Sequence, residues 1–338
     1  MGIMHLTYPS GFASIYYMDN ELNLITLAQH FSDEDRAREF LEKLRWPDGP
    51  VCPHCGEIGN VYKLQGKTTR KGLYKCAGCR KPFTVTVGTV FEDSHIPLNK
   101  WLLAYHLLCA SKKGMSAHQL HRMLKVTYRS AWFMAHRIRY TMSQEPLRSK
   151  LNGIIEIDET YVGGKIREKR GWTVKPGERP RDFRSPFANK QSVVSVLQRG
   201  GRVQSRHVER VTAANLKPIV DQMVAEDAHV MTDSSTVLAG ALMARKHDQV
   251  NHRAGEYARY EDGKCITTNS IEGYFATLKR GINGVYHHVG KQHLHRYLNE
   301  FDFRYNSRKE KDGDRTLLAM KGAGGKRLML KDSIGRVQ

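Results

Sequence analysis

The stretch Ile154-Ile155-Glu156-Ile157-Asp158-Glu159-Thr160-Tyr161-Val162 decides the fold. Branched and aromatic residues dominate it, and Gly153 and Gly163-Gly164 bound it, so it reads as a β-strand. Side chains alternate along a strand. Glu156, Asp158 and Thr160 therefore share one face, and Ile155, Ile157 and Tyr161 lean to the other. The anomaly is acid inside an apolar run. A carboxylate on a central strand is costly to bury unless it is paired or holds a cation. An edge strand with one wet face is the other reading, and this stretch alone leaves both open.

Downstream, residues 163–190 carry nine Lys/Arg against three Asp/Glu among Gly and Pro, which predicts a long basic loop. Gln191–Gln198 and Arg202–Glu209 read as strands of a hairpin joined by Arg199-Gly200-Gly201. Thr212 is placed to cap a helix with Leu216, Ile219, Val220 and Met223 on one stripe. His229-Val230-Met231-Thr232-Asp233-Ser234-Ser235 reads as a short strand ending on an acid. A third acidic element lies in residues 267–280, a helix that Asn269 or Thr268 would cap. Glu272 and Lys279 are two turns apart on one face, and Asn269 is one turn before Glu272. Taken alone, this helix also has a purely structural reading, an Asn cap with a first-turn Glu favourable to the dipole. The last helical stretch, residues 291–305, carries Leu294, Tyr297, Leu298, Phe301 and Phe303 as core.

Upstream, Cys52-Pro53-His54-Cys55-Gly56 and Cys76-Ala77-Gly78-Cys79-Arg80 form two CxxC knuckles at the separation of a four-thiolate zinc ribbon. Two intervening residues let one tight turn aim both sulfurs at one ion, with Gly56 and Gly78 expected to relax the turns. Val61–Leu64, Leu73–Lys75 and Pro82–Val87 supply its small sheet, and the metal much of its folding energy. A redox dithiol is the other use of CxxC, but two facing pairs favour metal, and His54 is expected to face solvent. Lys67, Arg70, Lys71, Lys75, Arg80 and Lys81 add a basic face. Before the ribbon, residues 20–44 have a helical pattern with Ser32 as a cap, and Trp46-Pro47-Asp48-Gly49-Pro50 ends it. After it, residues 98–142 read as three helices: 98–110, 117–124 capped by Ser116, and one starting at Thr127. A short helix, a tight turn and a longer basic helix suit a helix-turn-helix with Arg129, Arg137 and Arg139 outward; a plain helical bundle is the alternative.

The formal charge of +20 points to a polyanionic partner, of which nucleic acid is the usual one. The excess is not uniform. Residues 18–50 hold eight acids against four bases, and residues 1–17 hold no charged side chain. No apolar run approaches the ~20 residues of a membrane-spanning helix, and no basic amphipathic anchor is present. Four of six cysteines in CxxC pairs suit a reducing, cytoplasmic compartment; Cys109 and Cys265 read as small buried residues. His287, His288, His293 and His295, beside Lys291, Arg296 and Arg304, read as surface or phosphate contacts rather than a metal cluster. Residues 1–17 lack a secretory pattern and are expected to be an extension, with Met18 opening the structured chain.

Five motifs in order carry a resemblance: Cys-Pro-His-Cys-Gly at 52–56, Ile-Asp-Glu-Thr-Tyr-Val-Gly-Gly-Lys at 157–165, Thr-Asp-Ser at 232–234, Thr-Asn-Ser-Ile-Glu-Gly-Tyr-Phe at 268–275, and Tyr-Leu-Asn-Glu-Phe-Asp-Phe-Arg-Tyr-Asn at 297–306. Together, over about 19–308, they resemble bacterial insertion-sequence transposases of the Merlin-related, ISXO-like type. The resemblance implies an α/β chain: an N-terminal extension and helices at 1–47, a zinc ribbon at 48–92, a helix-turn-helix at 96–145, a ribonuclease-H-like catalytic domain at 150–310 and a basic tail at 311–338. The family's first acid falls on Asp158 and its second on Asp233. Its third position is Glu in some members and Asn in others. Glu272 is expected over Asn269, because a carboxylate is the better hard-cation ligand, and Lys279 stands at the spacing of the family's basic residue.

What this implies is a transposase that binds the terminal inverted repeats of an insertion sequence in double-stranded DNA and cuts and joins strands. Mg²⁺ (or Mn²⁺) would be held by Asp158, Asp233 and Glu272, as two ions ~3.5–4 Å apart bridged by Asp158. Water would be the first nucleophile and a freed 3′-hydroxyl the second, with Lys279 or Arg280 holding a phosphate. Zn²⁺ would sit on Cys52, Cys55, Cys76 and Cys79. The protein would work as a homo-oligomer on DNA in the bacterial cytoplasm, nucleoid-associated and away from membranes. Two rivals stand beside it. A regulator derived from an inactive transposase leaves Asp158 and Asp233 unexplained, and a ribonuclease-H-like nuclease or resolvase leaves two DNA-binding modules unexplained.

Overall fold

Residues 23–143, 149–163, 190–243, 245–261 and 263–333 are described by the structure, a computed structural model. The extension expected at 1–17 and nearly all of the basic loop expected at 163–190 lie outside the described residues. The chain divides into two compact units, residues 1–143 with 310–338, and residues 144–309.

In the first unit, helix α1 (Leu24–His30) opens on a capping box between Asn23 and Thr26. Helix α2 (Glu34–Arg45) is capped by Asp33, whose carboxylate accepts the Asp35 N–H, rather than by the expected Ser32. The ribbon follows as strands β1 (Val61–Lys63), β2 (Tyr74–Cys76) and β3 (Pro82–Phe83), antiparallel in that order. So small a sheet has little core of its own, and it borrows one from α2 and the turn after it. Trp46, Tyr74 and Phe83 meet with ring centroids 5.4–5.8 Å apart. Lys71 pairs with Asp35, Tyr74 Oη donates to Glu42 (2.9 Å), and Arg45 donates to the carbonyls of Val85 and Val87 (2.6 and 2.7 Å). The acid excess before the ribbon is thus its counter-charge.

Helices α3 (Leu98–Ala110), α4 (Ala117–Leu124) and α5 (Tyr128–Thr141) have the expected boundaries, with Ser116 and Thr127 as side-chain caps. Trp101, Leu102, Leu108, Leu120, Met134 and Ile138 form their core. Two expectations fail here. Arg137 and Arg139 are 6% and 2% exposed, not outward, because α5 is central in this unit. The Arg137 guanidinium fork serves three carbonyls, those of Val90 (2.8 Å), Glu92 (2.9 Å) and Leu328 (3.1 Å). Arg129, in the first turn, is exposed. The segment expected as a basic tail contains a helix, Asp312–Lys321. It docks on α3 through Arg315, which donates to the Cys109 carbonyl (3.1 Å), and Thr316, 3.3 Å from His106 Nδ1.

The second unit is a five-stranded sheet between helices. Its strands are β4 (Ile154–Val162), β5 (Gln191–Gln198), β6 (Val203–Val208), β7 (His229–Asp233) and β8 (His247–Val250), in spatial order β6-β5-β4-β7-β8. β4 is central, antiparallel to β5 and parallel to β7, so the edge-strand reading falls. Ile155, Ile157, Val194, Val196 and Val230 face helices α6 (Ala213–Met223) and α7 (Thr236–Ala241). A hairpin of β9 (Ala258–Glu261) and β10 (Lys264–Thr267) leads into helix α8 (Asn269–Gly281), which with α9 (Leu294–Asn306) covers the other face on Val162, Val193, Leu197 and Val203. The 297–306 motif fastens α9 to the sheet. Asn306 exchanges two hydrogen bonds with the Val203 backbone (2.7 and 3.0 Å), continuing the edge strand's ladder with a side-chain amide. Buried Asp302 accepts from the Ser205 N–H, the Ser205 hydroxyl and the Tyr274 hydroxyl at 2.7–2.8 Å. Among the described residues, no helix is long and apolar enough to cross a membrane.

Candidate active site

The register of β4 and β7 brings two of the expected acids together. The last rung of their parallel ladder pairs Glu156 with Met231. Two residues further along each strand stand Asp158 and Asp233, on the same face by the strand's period. Beyond that rung the chain leaves β7 at Ser234 for α7, so the two carboxylates lie at a fork, Asp233 at the C-terminal end of β7 and Asp158 midway along β4, just past its pairing with β7. Open α/β sheets place ligand sites there. Each acid is braced locally: Asp158 Oδ1 accepts the Glu159 N–H (2.7 Å), and Asp233 Oδ1 accepts the Ser235 N–H (3.1 Å).

The third element arrives from α8. Glu272 lies in its first turn, with Oε1 3.2 Å from His252 Nε2 and 3.3 Å from the Thr268 hydroxyl. Asn269, the first residue of α8, is exposed, and its N–H donates to the Thr267 hydroxyl (3.2 Å). Neither Asn269 nor Thr268 caps the helix with its side chain. The cap comes from β4: Glu156, fully buried, accepts the Ile271 N–H (2.9 Å). Lys279 is exposed, about 10 Å along the axis from Glu272 on the same side.

The electrostatics are those of crowded acid. Burial pushes the Asp158 carboxyl up to about 7, and the charges of Asp233, Glu159 and Glu272 add to it. Burial and Asp233 likewise raise Glu159, whose Oε2 is buried without a hydrogen-bond partner. Glu159, Asp233, Ser234, His252 and Arg253 line a cleft of ≈ 320 Å³. The three expected carboxylates do not close on one point. Among the described residues, only the four cysteines bring three or more ligand atoms within 4.8 Å of one another. The orphaned oxygen and the carboxylate donor set fit a hard divalent cation. A larger cleft of ≈ 370 Å³ in the first unit, beside Trp46 and Met320, contains no acid.

Three residues here escape sequence reasoning. Glu159 leans to the face opposite Asp158 by the strand's period, yet it lines the cleft with Asp233. His252 sits in a polar turn, Asn251-His252-Arg253, that has no periodicity to betray it. Arg199, expected only as a hairpin turn, pairs with Glu156 (2.9 Å).

The second site is the ribbon. Cys52 and Cys79 sulfurs are 3.6 Å apart, as are those of Cys55 and Cys76. A tetrahedral ion with ~2.3 Å metal–sulfur bonds needs sulfurs ~3.8 Å apart, so the cluster fits Zn²⁺. Burial opposes ionisation of Cys52, but the backbone N–H groups of His54 and Cys55 outweigh it and bring the thiol down to about 7. In the same cluster Cys55 stands near 12: the Glu57 N–H favours its thiolate, and burial and the other thiols outweigh that. His54 is exposed and outside the cluster. The residue after the second cysteine of each knuckle is left-handed, Gly56 (φ 77°) and Arg80 (φ 60°); Gly78, expected to relax its turn, is not.

Known protein families match both regions. Residues 150–306 match the ISXO2-like transposase domain, and residues 32–82 the transposase zinc-ribbon domain. A protein of the transposable element ISH50 of Halobacterium salinarum is 27% identical over 283 residues, 81% of this chain and 91% of that protein. Among solved structures, the Mos1 transposase paired-end complex with left transposon end is 12% identical over 67% of this chain and 80% of that one, with a TM-score of 0.18. A pre-cleavage Mos1 transpososome, 12% identical over 64% and 78%, has a TM-score of 0.17. Both scores are too low to equate the folds.

Proposed function

We propose that the chain, which matches the ISXO2-like transposase domain at residues 150–306 and the transposase zinc ribbon at 32–82, is a transposase that binds the terminal inverted repeats of its element and cuts and joins DNA strands at the β4–β7 fork. The observation that carries this is the placement of Asp158 and Asp233 two residues beyond one shared rung, with Glu272 brought alongside by α8. The strand order β6-β5-β4-β7-β8 supports a ribonuclease-H-like catalytic unit.

Asp158, Asp233 and Glu272 would hold Mg²⁺ or Mn²⁺, and Asn269 offers an amide oxygen one turn before Glu272. Such ions, when bound there, would supply charge neutralisation for the attacking and leaving oxygens and would acidify water. His252 orients Glu272 by the contact at 3.2 Å. Lys279, two turns along α8, positions a phosphate of the cut strand. In the first unit, α4 and α5 act as a helix-turn-helix that presents Tyr128 and Arg129, the exposed first turn of α5, to bases. The ribbon's exposed Lys67, Arg70, Arg80 and Lys81 grip backbone, as a homo-oligomer on DNA in the cytoplasm.

The test is purified protein on a labelled element end with and without Mg²⁺. Asp158→Asn and Asp233→Asn should each abolish cutting and joining while leaving end binding intact. Glu272→Gln should do the same and Asn269→Ala should not. An Asp158→Asn protein that still joins strands ends the reading.

A further inference from the structure

Glu156 has no role in the chemistry above, yet it is the most completely buried acid of β4. Its two oxygens have separate partners: Oε1 accepts from Arg199 Nε and Oε2 from the Ile271 N–H, each at 2.9 Å. Arg199 spends its other donors on the Cys265 carbonyl (2.8 Å), the Thr267 carbonyl (3.0 Å) and the Met231 sulfur (3.0 Å). Three of the contacting residues fall just upstream of a site residue. Glu156 is two residues before Asp158, Met231 two before Asp233, and Ile271 one before Glu272. Thr267 closes the strand that delivers the chain to α8.

We propose that Glu156 and Arg199 are positioning residues, a buried ion pair that fixes the separation of the three acid-bearing elements and so sets cation affinity at the fork. The inference rests on the proposed catalytic reading of Asp158, Asp233 and Glu272. Its physical basis is repulsion. Crowded carboxylates push the start of α8 away from β4; the apolar side of α8 packs on Val162, Val193, Leu197 and Val203, but its first turn has no side-chain cap to fix it. The resisting force comes from β4 itself, through a charge-assisted bond to the helix N-terminus, where an anion is favoured. Glutamine cannot replace it. One amide oxygen can serve Ile271 or Arg199, and its NH₂ then faces another donor.

The experiment measures Mn²⁺ binding by electron paramagnetic resonance on the zinc-loaded full chain, beside cleavage of a labelled end. Glu156→Gln and Arg199→Lys should each weaken Mn²⁺ ~10–100-fold, the usual effect of losing a residue that orients metal ligands. Cleavage at saturating DNA should fall and recover as Mn²⁺ is raised, with the Kd for end DNA unchanged. Glu156→Gln combined with Glu272→Gln should lose less Mn²⁺ affinity than the two single losses together, since part of the first acts through the second. Asp302→Asn, a buried acid of the α9 anchor, is the control: it should lower the melting temperature and leave Mn²⁺ affinity alone. If Glu156→Gln does not fold, Arg199→Lys, at a side chain 24% exposed, carries the test. Wild-type affinity in the folded variants, or additive loss in the double variant, overturns the positioning role alone. Wild-type protein that binds no Mn²⁺ at the fork overturns the catalytic reading with it.

Discussion

Asp158→Asn should make the metal-free protein more stable, and only at high pH. Burial and three neighbouring acids raise this carboxyl from 3.8 to about 7. A folded-state pKa above the unfolded one means that the folded chain binds the proton more tightly. The stability from that proton is fully present below about pH 4 and is lost as pH rises through 7. At about 1.4 kcal/mol per pH unit the ionised group costs up to ~4 kcal/mol at pH 8, and partial solvent screening reduces this to ~2–4 kcal/mol. Asparagine keeps the oxygen that accepts the Glu159 N–H and never ionises. The gain should therefore be ~2–4 kcal/mol at pH 8 and under ~1 kcal/mol at pH 4, or about 5–10 °C in the melting of residues 144–309 at the higher pH. Thermal unfolding in Mg²⁺-free buffer reads it, without a strong chelator, which would strip the cysteine cluster. A variant no more stable than wild type at pH 8, or equally stabilised at both pH values, refutes the crowded-acid account of the fork.

The two arginines of α5 should separate cleanly. Arg137→Met strands three carbonyls and should cost ~3 kcal/mol or more in chemical unfolding, whereas Arg129→Ala should leave stability unchanged and lower the salt slope of end binding by ~1. Arg80→Gly removes a side chain from a left-handed position and should stabilise the zinc-loaded ribbon by ~1 kcal/mol. Chelation of zinc should expose Trp46, shifting its fluorescence to the red, and added Zn²⁺ should restore it; unchanged emission would show a ribbon that folds without metal.

The readable parts of this chain were those with a local cause. Helices 98–110, 117–124 and the one from Thr127 follow from periodicity and caps that act within one turn. The cysteine cluster follows from spacing alone. The strands carrying Asp158 and Asp233 could be found, but their shared rung could not, since register is decided between segments more than sixty residues apart. Arg137 and Arg139 misled because charge in a helix ordinarily means a wet face. Here loop carbonyls from 90, 92 and 328 supply partners that no pattern near 137 announces. The cap of α8 was sought beside it and came from a strand 115 residues earlier. His252 and Arg199 were missed for the same reason.

The first unit takes residues from both ends of the chain, and its helix at 312–321 is synthesised after the whole of the sheet bearing the acids. A ribosome that stops early therefore leaves α3 without the partner that covers His106 and the Cys109 carbonyl. A copy truncated by a frameshift after residue 309 would keep every acid of the fork and yet present an incomplete amino-terminal unit. If the proposed function holds, products truncated there would be poor competitors for the element's ends, and decayed copies would interfere little with an intact one.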